Sequence, residues 1–171
     1  SDEAPAIPIL LKVLEIVHRV HELFRKKRLT LSVAESCTGG LISHYITALP
    51  GASNFFEAGM ISYSAETKIN VLGISPEIIS KYGMVSEETA KEMAEKIRSL
   101  TKTDYSLSTT GNLGPDVLEG KEKGLIYIAV NKKGKTISRV LRLKGNREEN
   151  KQEAALSALE LLIEVVERQL G

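Results

Sequence analysis

Cysteine is nearly absent: Cys37 is the only one in 171 residues, so no intramolecular disulfide can form and a secreted disulfide framework is excluded. Histidine is scarce as well. Three histidines and one cysteine limit metal chemistry, and although His18 and His21 stand one helical turn apart, no third ligand lies near them in sequence. They are expected to be surface or half-buried side chains, and no metal or cofactor is expected. A net charge of either sign is also missing. With 23 Lys+Arg against 22 Asp+Glu the formal charge is +1, which leaves neither the electrostatic footprint of a nucleic-acid binder nor a polybasic membrane anchor. No run of about 18 apolar residues occurs that could span a bilayer. The opening Ser1-Asp2-Glu3 is acidic where a secretory signal is basic, which makes the cytoplasm the expected compartment.

What is present is a 42% hydrophobic, 26% charged composition in a length that suits one domain, expected to cover residues 1–171. Leu10, Leu14, Val17, Val20 and Phe24 recur at helical spacing and predict an amphipathic helix from about Pro8 to Lys27. Leu29 to Ala34 reads as a strand that passes through Glu35-Ser36-Cys37-Thr38-Gly39-Gly40 into a second helix, closed after Leu49 by Pro50-Gly51. Ala58 to Ser64 predicts another strand and Ala65 to Leu72 another helix. Ser75-Pro76-Glu77 and Ser86-Glu87-Glu88 each join a capping residue to first-turn acids, so two more helices start there. Tyr105 to Thr110 is a third strand, Leu125 to Val130 and Thr136 to Leu143 form a hairpin around residues 131–135, and Arg147 to Leu170 is a closing helix. This alternation predicts an α/β sandwich whose mixed sheet is mostly parallel, with ligands gathering at the strand ends, in the loops that start at Glu35, Ser64 and Thr110.

Several residues in and beside those loops invite chemistry. Ser36 sits where a strand feeds a helix through two glycines, so backbone N–H groups there can face an anion or an oxyanion. The same residues also suit a simple helix start, with Ser36 or Thr38 as cap and Gly39-Gly40 as the turn. The sequence is neither a phosphate-binding P-loop, since no Gly-Lys-Ser/Thr follows, nor a dinucleotide fingerprint. A nucleophilic serine needs a base, and His44, about two turns into the next helix, is badly placed. Lys68 is the better candidate: the start of its helix and burial would both depress its pKa, and a neutral lysine can accept a serine proton. A solvated helix lysine is the plain alternative. Asn146 and Glu149 form a capping box, whereas Arg147 puts a cation in a first turn, an arrangement that suits either a bound phosphate or a surface side chain. Thr110 and Gly111 end the third strand and can touch a ligand or simply turn.

Taken together, Ser32-Val33-Ala34-Glu35-Ser36-Cys37-Thr38-Gly39-Gly40, Pro50-Gly51-Ala52-Ser53, Tyr63-Ser64-Ala65-Glu66-Thr67-Lys68, Leu72-Gly73, Gly83-Met84-Val85-Ser86, Thr110-Gly111, Gly114-Pro115 and Gly145-Asn146-Arg147-Glu148 resemble the CinA C-terminal domain family, in order, from about Leu29 to the C-terminus. Residues 1–28 then form an N-terminal helix outside the resemblance, and 29–171 the family core. The resemblance implies a three-layer α/β/α sandwich with about five strands and an activity similar to nicotinamide-nucleotide amidase. That reaction converts nicotinamide mononucleotide and water to nicotinate mononucleotide and ammonia. It further implies Ser36 as nucleophile, Lys68 as base and Tyr63 assisting, with Cys37, Thr38, Gly39, Gly40, Thr110, Gly111 and Arg147 toward the substrate. The expected partner is a small pyridine nucleotide, and the choice between monomer, homodimer and larger homo-oligomer stays open. One loop departs from the family pattern. Where the family reads Thr-Gly-Ile-Ala-Gly-Pro and then a Gly-Gly pair, this chain has Thr110-Gly111-Asn112-Leu113-Gly114-Pro115 followed by Asp116-Val117-Leu118-Glu119-Gly120, and a catalytically silent nucleotide-binding or scaffolding domain of the same fold is the alternative reading.

Overall fold

The computed structural model describes residues 8–168. Five strands, β1 (Leu31–Glu35), β2 (Phe56–Ile61), β3 (Tyr105–Gly111), β4 (Leu125–Lys132) and β5 (Lys135–Arg142), form one sheet in the order β2-β1-β3-β4-β5. β1 pairs in parallel with both β2 and β3, while β4 and β5 add an antiparallel hairpin beyond β3. The three parallel strands therefore end at the same edge. Six α-helices accompany them: α1 (Ile9–Lys27), α2 (Leu41–Thr47), α3 (Ala65–Asn70), α4 (Pro76–Tyr82), α5 (Glu87–Thr101) and α6 (Arg147–Arg168).

The two faces of the sheet are covered differently because their side chains differ in size. Leu31, Val33, Leu107, Ile126, Ile128 and Val130 present bulky groups to α1, α2 and α6, and these join Val13, Val17, Phe24, Leu159 and Leu162 in the main core. On the other face, Ser32, Ala34, Ser106, Ser108 and Ala129 are small, so α5 lies close against the strands. Its carbonyls accept from the sheet: Ser106 Oγ donates to Ala94 O at 2.5 Å and Ser108 Oγ to Ala90 O at 2.6 Å. A buried hydroxyl satisfied in this way costs little, and it fixes the height of the helix over the strand. Gly59 in β2 serves a similar close approach, since a Cβ there would lie 2.3 Å from Ser43 Oγ of α2.

The starts of α3, α5 and α6 carry side-chain caps, whereas Ser75, expected to cap α4, makes no side-chain cap bond. Ser64 and Ser86 accept from Thr67 N and Thr89 N, and Asn146 and Glu149 exchange hydrogen bonds at 2.9 and 3.0 Å as a capping box. Three further expectations are corrected. The stripe on α1 runs through Val13, Val17, Val20, His21 and Phe24, while Leu10 and Leu14 are 57% and 36% exposed. Those two leucines lie on the flank of His21, which α2 covers; α2 is only seven residues long and does not extend over the first turns of α1. His21 is fully enclosed rather than half-buried, its Nε2 lying 2.8 Å from Ile46 O, whereas His18 is exposed. The β4–β5 hairpin turns at Lys133-Gly134, so β4 runs two residues longer than the pattern suggested and β5 starts and ends one residue earlier. The predicted end of the closing helix at Leu170 lies outside the described residues.

Candidate active site

Ser36 follows the last residue of β1, and its N–H donates to Thr109 O at 3.1 Å, so the neighbouring strand fixes its backbone. Lys68 reaches it from α3. The lysine side chain is fully buried, and its Nζ lies 2.7 Å from Ser36 Oγ, 2.6 Å from Ser62 O and 3.1 Å from Tyr63 O. As an ammonium it donates to all three oxygens. As a neutral amine its two N–H bonds still satisfy the two carbonyls, and its lone pair is left facing the serine hydroxyl, the geometry needed to take a proton from it. Burial lowers the Lys68 pKa to about 8, opposed by the nearby Cys37 and Glu119. The largest cause is desolvation; α3 is a helix of only six residues, and Lys68 stands in its last turn rather than its first.

Neither Ser36 nor Thr38 caps α2. Glu35 does, and the sequence reading missed it. Its buried carboxylate accepts five hydrogen bonds: from Thr38 Oγ1 at 2.6 Å, Gly40 N at 3.2 Å, Ile42 N at 3.0 Å, Ser43 N at 3.0 Å and Ser43 Oγ at 2.7 Å. A carboxylate at the amino end of a helix satisfies N–H groups left without intrahelical partners and meets the positive end of the dipole. Gly39 and Gly40, at φ 59° and 102°, let the chain turn tightly enough to wrap that carboxylate. The acid-then-glycine spacing was the only available signal, and it does not say which way the side chain points. Glu35→Gln replaces one acceptor by a donor facing other donors, so urea unfolding should show a loss of about 3 kcal/mol.

A cavity of about 650 Å³ opens in front of the serine, at the common carboxyl edge of β1, β2 and β3. Ser36, Cys37, Tyr63, Thr110, Gly111 and Arg147 line it. Thr38, Gly39 and Gly40 do not; Thr38 Oγ1 is turned inward between Glu35 and Thr109, 2.7 Å from Thr109 Oγ1, so these three shape the turn from behind. Cys37 is buried and its thiol is pushed up to about 12, chiefly by desolvation, which makes it a poor nucleophile. Tyr63 also departs from expectation. Its ring is 58% exposed and its hydroxyl accepts from Arg147 Nη2 at 3.1 Å, so only its backbone carbonyl touches Lys68. Arg147 Nη1 donates to Gly114 O at 2.7 Å, and Thr110 Oγ1 donates to Met84 O at 2.7 Å, leaving the threonine oxygen able to accept. His44 is exposed on α2 and does not line the cavity.

Residues 14–166 match the sequence pattern of the CinA C-terminal domain. The chain belongs to the CinA C-terminal domain family. It is 44% identical over 149 residues, 86% of its length, to a protein of Thermoanaerobacter pseudethanolicus named as a competence-damage inducible protein, and 45% identical over 144 residues, 84% of its length, to one of Caldicellulosiruptor saccharolyticus. The chain spans only 36% and 35% of those curated relatives. Among solved structures it is similar to the competence damage-inducible protein A (ComA) of Klebsiella pneumoniae, with TM-score 0.90 at 28% identity, covering 92% of this chain and 99% of that one. A CinA superfamily protein of Enterobacter cloacae gives TM-score 0.89 at 30% identity, covering 97% and 98%.

Where this CinA C-terminal domain departs from the family loop, the substituted residue organises the segment. Asn112 Oδ1 accepts from Gly114 N at 3.0 Å and its Nδ2 donates to Asp116 O at 2.8 Å, while Leu113 is buried. Asn150 of α6 anchors the loop from behind, donating through Nδ2 to Leu113 O at 3.0 Å and accepting from Gly145 N at 2.9 Å. No helix of the described residues is long and apolar enough to cross a membrane.

Proposed function

We propose that this domain is an amidohydrolase that deamidates nicotinamide mononucleotide through a serine–lysine pair. The observation that carries the reading is the 2.7 Å contact between Ser36 Oγ and a fully buried Lys68 that forms no ion pair among the described residues, at the mouth of a nucleotide-sized cavity. Ser36 attacks the carboxamide carbon while Lys68 takes its proton. The lysine returns a proton to the departing nitrogen, ammonia leaves, and water then releases nicotinate mononucleotide from the acyl-enzyme with Lys68 again as base. The N–H of Cys37, a residue that lines the cavity and has no backbone acceptor for it among the described residues, is the group left to hold the oxyanion, since the Ser36 N–H is already bonded to Thr109. Arg147 and Thr110 hold the phosphoribosyl end, and Tyr63 acts as the wall that orients Arg147 rather than as a proton carrier. The pocket asks for no metal in this route.

Ammonia release from nicotinamide mononucleotide is the direct assay, with formation of nicotinate mononucleotide as the second product. Turnover should rise with pH along a single limb centred near the Lys68 pKa of about 8 and level off above it, because the base must be neutral to act. A profile flat from pH 6 to 9 would exclude the lysine as base. The alternative, a silent nucleotide-binding domain, is favoured only if calorimetry shows nucleotide binding while no ammonia appears.

A further inference from the structure

The segment after Gly114 has no role in the chemistry above, yet it is heavily braced. Leu118 bridges to Lys121, with Glu119 and Gly120 at φ 56° and 70° and Lys121 N donating to Leu118 O at 2.9 Å, which makes a small hairpin on a tight left-handed turn. Glu119 ties this hairpin to the segment before α5: its Oε2 accepts from Met84 N and its Oε1 from Val85 N, both at 2.9 Å. Lys121 Nζ adds a bond to Tyr82 O at 2.7 Å. Asn112 holds the hairpin base through Asp116 O. A segment fixed at so many points keeps its side chains where they are put.

Those side chains are unusual for a surface. Val117 is 67% exposed and Leu118 40% exposed, and both line the cavity beside Met84 and Val85. An apolar shelf held open at a cavity mouth is the common form of a ring-binding wall. The charges are as telling. Asp116 is the one acid and Arg147 the one permanent cation among the lining residues, and neither forms an ion pair within the described residues. A cavity that keeps one charge of each sign unpaired complements a ligand carrying both.

We propose that Asp116, Val117 and Leu118 form a subsite for a cationic aromatic ring, the ring face lying on Val117 and Leu118 with its positive charge toward the Asp116 carboxylate. The anionic end of the same ligand lies at Arg147. The inference rests on the amidase reading only in placing the ring's carboxamide at Ser36. The subsite then prefers the cationic ring to the neutral-ring forms of the same molecules.

Calorimetry with three probes tests this: nicotinamide mononucleotide, its reduced dihydropyridine form, which has the same phosphoribose but a neutral ring, and ribose 5-phosphate, which has no ring. Wild type should bind the oxidised nucleotide more tightly than the reduced one. Asp116→Asn should cut that preference about fivefold, and Val117→Ser with Leu118→Ser should weaken both nucleotides about tenfold, with affinity for ribose 5-phosphate unchanged in every variant. The subsite is overturned if wild type shows no preference, if Asp116→Asn keeps it, if the double variant binds both nucleotides as wild type does, or if ribose 5-phosphate affinity falls in step. Wild type that binds with the expected preference but releases no ammonia would sink the amidase reading and leave the subsite standing. Wild type that releases ammonia but binds both nucleotides alike would do the reverse.

Discussion

Ser36→Ala should abolish ammonia release from nicotinamide mononucleotide, on the order of 10⁴-fold or more, while leaving nucleotide binding within a few-fold of wild type. The size follows from covalent catalysis: without the hydroxyl no acyl-enzyme forms, and the small side chain adds no bulk to the cavity. The one hydrogen bond of the Ser36 side chain among the described residues is the one from Lys68, so the fold should tolerate the change, and removing an acceptor from a buried amine should favour the neutral lysine. Mass spectrometry of acid-quenched turnover should trap an ester of nicotinate mononucleotide, with its ribose phosphate retained, on wild type and none on the variant. Undiminished turnover in Ser36→Ala would remove the mechanism outright.

Lys68→Arg should lower kcat by about 10²- to 10⁴-fold, the range of a lost general base, and should erase the pH limb near 8. A guanidinium does not deprotonate in proteins, so the positive charge is kept and the base is lost. The substitution also enlarges a side chain that is fully buried against two carbonyls, which strains the site. Lys68→Met separates the two effects, because it is close in length and uncharged. Both variants losing turnover, with Lys68→Met still folded by thermal melt, assigns the loss to the proton transfer. Near-normal turnover in Lys68→Arg would make the lysine a binding cation.

Much of the fold was legible because it rests on local signals. Ser86 and the Asn146–Glu149 box start their helices from within a single turn, so sequence spacing suffices to find them. The strand–glycine–helix passage at Ser36 and a strand leading toward Lys68 were likewise readable, although β2 ends at Ile61 rather than Ser64, and they placed both groups at one sheet edge. Their 2.7 Å contact was not. Ser36 and Lys68 are 32 residues apart, and the pairing depends on the β1–β2 register, which sets Glu35 beside Ile61 and so brings the two loops side by side.

The roles of Glu35, Thr38 and Tyr63 escaped for the same reason from the other side. A glutamate before a serine, or a threonine two residues after it, carries no sign of where its side chain turns; only the wrap of the chain through Gly39 and Gly40 sends Glu35 and Thr38 into the protein. The Tyr63 phenol points at Arg147, 84 residues away, because α6 brings its first turn to the cavity. Sequence alone determined the element order, the caps at Ser86 and Asn146, the family and the candidate pair, since each depends on neighbours within a turn or on motifs in order. Tertiary structure decided the depth of Lys68 and hence its lowered pKa, the inward turn of Glu35, and the braced hairpin at Asp116–Lys121, because burial, desolvation and direction are properties of packed neighbours from distant parts of the chain.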